Sequence, residues 1–362
     1  MLYAMLAFSI LAGIDKLLNN KYGLGVKFDE GFKAMGGLAL TIIGIYSLSP
    51  IIASAATPIL LPLSKLLHTD PSVFIGSILA TDLGAYNTSL EIARSESMVA
   101  FNGVILASTL GATISFTVPV ATNLISAKDF GYFAKGILAG IVTVPVGMVI
   151  AGFMLKISAV EVILNLLPVI VFSALIAYGL IRFQDKMVSV FSIVGKLVLG
   201  LSTFGLLISI YSYSTGHVIV KGMLPLEEAV MLVFTIAVVL SGAYPMLYFL
   251  QRSLTRVLKR ASTRFGLDEF SILGLFSSLA SCLPMMGVYH EMNWKGKMLN
   301  AAFSVSGSFV LGGQLGYVSS VSPSSVNAFI VSKIIAGISG MAVAGLLIKQ
   351  ESNKGGVREY DN

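Results

Sequence analysis

The sequence predicts an all-α polytopic membrane protein of about 10–11 transmembrane helices, built from two structural repeats with interrupted helices. Three observations carry that reading. Hydrophobic residues make up 56% of the 362 and charged residues only 12%, where a soluble domain carries roughly 25% charged. Apolar stretches of spanning length recur from one end of the chain to the other. Finally, sliding the chain on itself by 198 residues lays 28–137 over 226–335 with the apolar stretches in register.

The stretches lie near 1–14, 33–52, 72–90, 98–124, 131–155, 159–181, 188–211, 229–250, 270–289, 298–320 and 326–348. The first lacks a basic leader and is followed by Lys16, Lys21, Lys27 and Lys33, so it reads as a retained span with its N-terminus outside. Asp29-Glu30 and Glu227-Glu228 each open an apolar helix, where carboxylates complement the helix dipole. Segment 50–67, with Pro50, Pro58 and Pro62, is the candidate for a re-entrant or split stretch. Asp70-Pro71 reads as an N-cap with proline at the first helical position, and Asp268 repeats the cap. Gly84 and Pro284 predict interruptions in the helices that follow those caps. Segment 251–269, with Arg252, Arg256, Lys259, Arg260 and Arg264, reads as an amphipathic helix at the cytoplasmic interface.

These elements divide the chain into a first membrane repeat of about five helices (1–158), a connecting helix (159–187), a second repeat (188–348) and a polar tail (349–362). Matched positions include Glu30/Glu228, Gly44/Gly242, Tyr46/Tyr244, Asp70/Asp268, Gly76/Gly274, Asn102/Asn300 and Lys135/Lys333. Identities are few, so the register of the spans is the stronger argument, together with Ala139-Gly140-Ile141 recurring as Ala336-Gly337-Ile338. Opposite charge bias in matching loops favours an inverted repeat, whereas a plain count of eleven crossings favours parallel halves.

The net charge of +6 comes from basic residues between apolar spans, the positive-inside pattern, and no nucleic-acid role is expected. The single Cys282 excludes an intrachain disulfide framework, and the scattered His68, His217 and His290 give no metal centre. Gly312-Gly313-Gln314-Leu315-Gly316 is a flexible break rather than a phosphate loop, because no Lys-Ser/Thr follows. No enzyme constellation is present, and no cofactor is expected.

Asp82 is the acid without a capping explanation. It lies 12 residues beyond Asp70, about 18 Å along a continuous helix and near the middle of a core roughly 30 Å thick. Acids at that depth face a pathway or pocket, or pair with a lysine such as Lys135 or Lys333. Thr81, Tyr86, Asn87, Thr88 and Ser89 gather near it in sequence, and Ser277, Ser278, Ser281 and Cys282 form a polar counterpart. Asn102 and Asn300 open the next helices as substrate-binding or helix-tying amides, Gln314 adds another amide, and Tyr46 and Tyr244 either face a cation or pack. One buried carboxylate among hydroxyls, amides and rings suits a small polar cation.

The runs Phe28-Asp29-Glu30-Gly31-Phe32-Lys33-Ala34-Met35-Gly36, Leu79-Ala80-Thr81-Asp82-Leu83-Gly84, Leu138-Ala139-Gly140-Ile141-Val142-Thr143 and Gly242-Ala243-Tyr244-Pro245-Met246, with Gly316 after Gln314-Leu315, resemble the ethanolamine-utilisation permease family, EutH, over about residues 10–348. Cys282 departs from that family's Asn, and Gly313-Gln314 from its Asp-His. The resemblance implies a multi-pass protein of the bacterial inner membrane that admits protonated ethanolamine, with Asp82 meeting the ammonium and Asn102, Asn300 or Gln314 the hydroxyl. A homo-oligomer, with a dimer preferred, is the expected assembly. Facilitative uptake is the first expectation. A proton- or sodium-coupled transporter of another small amine or amino acid, with Asp82 as ion relay, is the alternative.

Overall fold

The computed structural model describes residues 2–353, and residues 354–362 of the expected polar tail lie outside the described residues. The side chains of 254–265 lie outside them too, so most of the basic face expected on 251–269 is not described. Every regular element among the described residues is helical. In chain order they are α1 (Leu2–Leu17), α2 (Leu24–Leu66), α3 (Ser72–Ile78), α4 (Ala85–Ile92), α5 (Glu96–Leu124), α6 (Ala127–Met154), α7 (Ala159–Arg182), α8 (Gln184–Thr215), α9 (Leu226–Phe265), α10 (Glu269–Ala280), α11 (Cys282–Gly287), α12 (Trp294–Gly307), α13 (Gly313–Val321) and α14 (Val326–Asn353). Seven of the described helices, α2, α5 to α9 and α14, are long and apolar enough to cross a membrane. The remaining apolar stretches of the sequence fold as shorter pieces.

Helix α5 is the hub. Its backbone winds as a π-helix over Val99–Gly111 and Thr113–Thr117, a wider coil that is rare and collects at functional sites. It is buried almost throughout and packs against α3 and α4. Helices α6, α12 and α14 pack together on another side, while α2 lies between α8 and α9. The outer faces of α7 and α8 expose large apolar side chains such as Leu175, Leu197, Phe204 and Leu207, as a lipid-facing wall requires.

Helix α2 corrects one expectation. It runs unbroken through Pro50, Pro58 and Pro62 instead of forming a re-entrant or split segment at 50–67. Proline removes the N–H that would meet the carbonyl four residues back. For Pro50 that carbonyl is Tyr46 O, and the Ser49 hydroxyl donates to it at 2.7 Å instead. Where α2 meets α8, a Cβ on Gly44 would lie 1.7 Å from Ser202 O, so the backbones touch without intervening side chains. Where it meets α9, Gly31 lies against Ser241, and Tyr46 lies beside Glu228. The two helices therefore run antiparallel.

The interruptions expected at Gly84 and Pro284 are present. After α3 the chain is extended at Leu79 and Ala80, makes one 3-10 turn at Thr81–Leu83, and enters α4 through Gly84 at φ +98°. That left-handed conformation costs a side-chain-bearing residue, which is the physical reason for glycine there. After α10 the chain is extended at Ser281, whose hydroxyl accepts the Leu283 N–H and starts α11. A third break, between α12 and α13, is held by Phe309 N–H and Leu311 N–H donating to Ser278 O and Leu279 O at 3.0 and 2.8 Å.

The capping assignments for Asp70 and Asp268 hold. Asp70 accepts the Ser72 N–H and, across the turn, the Arg94 N–H, both at 2.9 Å. Asp268 accepts the Ser271 N–H at 2.8 Å and the Asn293 N–H at 2.6 Å. Each aspartate thus staples the start of one short helix to the chain segment that returns beside it. A buried ion pair, Lys297 to Asp129 at 2.6 Å, joins the first turns of α12 and α6.

Candidate functional site

The three helix breaks meet around one cavity of about 330 Å³. Its walls come from Ala80, Asp82 and Leu83 at the first break, Ala280, Ser281 and Leu283 at the second, and Phe309, Gly313 and Gln314 at the third. Helix α2 adds Ala34, Gly37, Leu38 and Thr41, α5 adds Ala112 and Phe116, and α9 adds Leu240 and Tyr244. The volume is at the small end of ligand pockets, and the wall is mostly apolar with a few polar groups.

Asp82 is the only charged side chain in that wall. The break places it: α3 ends at Ile78, so the acid sits on the short 3-10 turn and not on the continuous helix from which its depth was reckoned. It lies three residues before the first residue of α4, on the turn that leads into that helix. Among the described residues it has no ion-pair partner within 4 Å. The charge that acts on it is Lys333, on α14, which is only 1% exposed.

The other residues singled out in the sequence divide into two groups. Gln314 and Tyr244 line the cavity with Asp82. The Gln314 Oε1 accepts a hydrogen bond from Lys333 Nζ at 3.1 Å, and that ammonium also donates to Ser108 O. Tyr46, beside Glu228, is outside the wall. Tyr86 is also outside it, donating to Val321 O at 2.8 Å and meeting the ring of Tyr317 edge to face.

Asn102 and Asn300 are fully buried away from the cavity. Asn102 Nδ2 donates to Ser72 Oγ at 3.0 Å and to Asn165 Oδ1 at 3.3 Å. Asn300 Nδ2 donates to Ser271 O and Gly296 O, both at 2.9 Å. Both amides therefore reinforce the Asp70 and Asp268 staples, and both leave Oδ1 without a partner. Thr41, Phe116 and Phe309 are among the wall residues that carried no signal in the sequence. Thr41 and Phe116 lie inside long apolar runs, and Phe309 has its place only through the third break, where it adopts φ +64°.

Chemically, the arrangement offers one anionic oxygen pair, a phenol, two hydroxyls and an amide in an apolar chamber. It can desolvate a small cation and hold a second polar group beside it.

Comparison with known proteins follows this geometry. Residues 1–347 match the family model described as "Ethanolamine utilisation protein, EutH". The chain is 36% identical over 358 residues to the "Probable ethanolamine permease EutH" of Listeria monocytogenes serotype 1/2a (strain 10403S), covering 99% of this chain and 96% of that protein. It is 38% identical over 352 residues to the "Uncharacterized protein YxeR" of Bacillus subtilis (strain 168), covering 97% and 95%. It is 31% identical over 388 residues to the "Probable ethanolamine permease EutH" of Escherichia coli (strain K12), again covering 97% and 95%. No solved structure matches. The chain belongs to the EutH family: it is a multi-pass bacterial membrane protein of a permease family and not an enzyme.

Proposed function

We propose that this protein carries protonated ethanolamine across the bacterial inner membrane, with Asp82 receiving the ammonium group. The observation that carries the proposal is the Asp82 carboxylate, alone in charge on the wall of a small chamber formed by three helix breaks. A half-buried carboxylate without a close partner is costly, and a desolvated ammonium is the complementary charge. The names of the curated relatives point to the same substrate. Gln314, Ser281, Thr41 and Tyr244 supply polar contacts for the hydroxyl end. Asn102 and Asn300 act as helix ties in this proposal, and Tyr46 and Tyr86 as packing residues near the chamber.

Uptake is facilitative. A monovalent cation entering a negative-inside cell gains about 2.3 kcal/mol per 100 mV, so the membrane potential alone drives accumulation. The antiparallel course of α2 and α9, which carry the matched pairs Glu30/Glu228 and Tyr46/Tyr244, supports an inverted arrangement of the two halves.

The test is uptake of labelled ethanolamine at low concentration into proteoliposomes with an imposed potential. Asp82→Asn is expected to reduce uptake to the level of empty liposomes while the protein remains in the membrane. Normal uptake by that variant overturns the assignment of Asp82.

A further inference from the structure

We propose that Lys333 is a tethered counter-cation of Asp82: it neutralises the carboxylate in the empty transporter, competes with the incoming amine, and orients Gln314 for the substrate hydroxyl. The proposal deepens the reading of Asp82 as the ammonium site and rests on it.

Lys333 lies on α14, seven residues beyond its first residue, and is only 1% exposed. A cation in that position is expensive, and packing alone is better served by Met or Leu. Its surroundings answer the cost only in part. The ammonium has three N–H donors. One meets Ser108 O on α5, a second meets Gln314 Oε1 at 3.1 Å, and the Phe329 ring centroid lies 5.2 Å from Nζ. All of these partners are neutral. The charge that balances Lys333 is Asp82, with which it interacts electrostatically without a direct bridge. Asp82 and Lys333 are thus opposite charges that make no bridge within 4 Å but meet at one amide: Gln314, which Lys333 holds, shares the chamber wall with Asp82.

Two consequences follow from this geometry. An arriving ammonium takes the close contact with Asp82 that Lys333 does not make, while Lys333 stays bound to Ser108 O and Gln314. Substrate therefore adds to a site already partly neutralised, which lowers its affinity and lets the emptied carboxylate cross the reorienting step without another cation. Second, lysine is a donor only, so the amide oxygen of Gln314 must face it. The Gln314 NH2 is then the uncommitted end of an amide on the chamber wall, suited to donate to a hydroxyl oxygen.

The test uses purified full-length protein in liposomes, comparing Lys333→Met, Asp82→Asn and the double variant with the unaltered chain. Labelled ethanolamine is measured in net uptake and in exchange against internal ethanolamine, with methylammonium as competing cation. Lys333→Met is expected to lower the half-saturation concentration for ethanolamine several-fold and to strengthen inhibition by methylammonium. Net uptake should slow more than exchange, because only net uptake requires the empty carrier to return. The double variant should match Asp82→Asn alone. Unchanged half-saturation in Lys333→Met, or net uptake and exchange slowed equally, overturns the proposal. If Lys333→Met is not recovered from membranes, Lys333→Gln, which keeps donors for Ser108 O and Gln314, takes its place with the same expectations. A failure of the Asp82 reading is separately visible, since Asp82→Asn would then transport normally whatever Lys333 variants do.

Discussion

Breaking the Lys297–Asp129 pair from one side should be much more damaging than removing both charges. The pair is buried and joins α12 to α6 at 2.6 Å. At that distance and an effective dielectric near 20, the attraction is about 6 kcal/mol, which the desolvation of two ions largely offsets. Losing one partner strands the other, at roughly 3–5 kcal/mol. The two ends are not equivalent. Asp129 lies in the first turn of α6, where the dipole favours it, and it accepts the Ser126 hydroxyl at 2.9 Å. Lys297 sits near the N-terminal end of α12, where the dipole opposes a cation. Asp129→Asn should therefore cost more than Lys297→Met, by about 1 kcal/mol, and the double variant should recover most of the loss. The assay is thermal unfolding of purified protein in one detergent, with all four forms run side by side. Equal midpoints for the two single variants, or a double variant less stable than Asp129→Asn, would refute the reasoning.

Other outcomes follow from the packing and the staples. Gly44→Ala should lower folded yield sharply, because its Cβ would lie 1.7 Å from Ser202 O, whereas Gly36→Ala, with nothing within 4 Å, should be neutral or stabilising by about 0.5–1 kcal/mol in a fluorescence-detected thermal ramp. Burial opposes the Asp268 charge, but hydrogen bonds from Asn293 N–H, Ser271 N–H and Ser271 Oγ outweigh it and hold its pKa below the ordinary 3.8. A depressed folded pKa gives stability that is present above the unfolded value and lost as pH falls through the folded one. The midpoint of the unaltered protein should therefore drop more steeply than that of Asp268→Asn between about pH 5 and pH 3; parallel curves would contradict this.

Features governed by local backbone chemistry were legible in the sequence. Asp70 and Asp268 read as caps because an aspartate before a helix has one obvious set of donors, and those donors are present. Gly84 and Pro284 pointed to real breaks: glycine admits the left-handed turn that leads into α4, and Pro284 has no N–H for the carbonyl of Ala280, where α10 ends. Pro50, Pro58 and Pro62 did not break α2; at Pro50 the Ser49 hydroxyl serves the abandoned carbonyl, which the proline count alone does not show. Asp82 stood out as a buried acid, yet its position came from an arithmetic of continuous helix that the break at Ile78 removes. Asn102 and Gln314 read alike as buried amides. Only the tertiary arrangement separates one bonded to Ser72 and Asn165 from one facing the chamber beside Lys333.

The half-helices have a consequence for how this protein enters its bilayer. Helix α3 has 7 residues and α4 has 8, which at 1.5 Å each is about 10–12 Å, well short of a hydrocarbon core roughly 30 Å thick. Neither can partition into lipid as an independent span, because the extended residues between them would leave backbone groups bare. Their largest partner surface is α5, which is synthesised after them, although α4 also packs on α2. The 72–92 segment is therefore expected to complete its packing only once residues 96–124 have emerged. Substitutions that slow the folding of α5 should then appear as misinserted or degraded protein before they appear as altered transport.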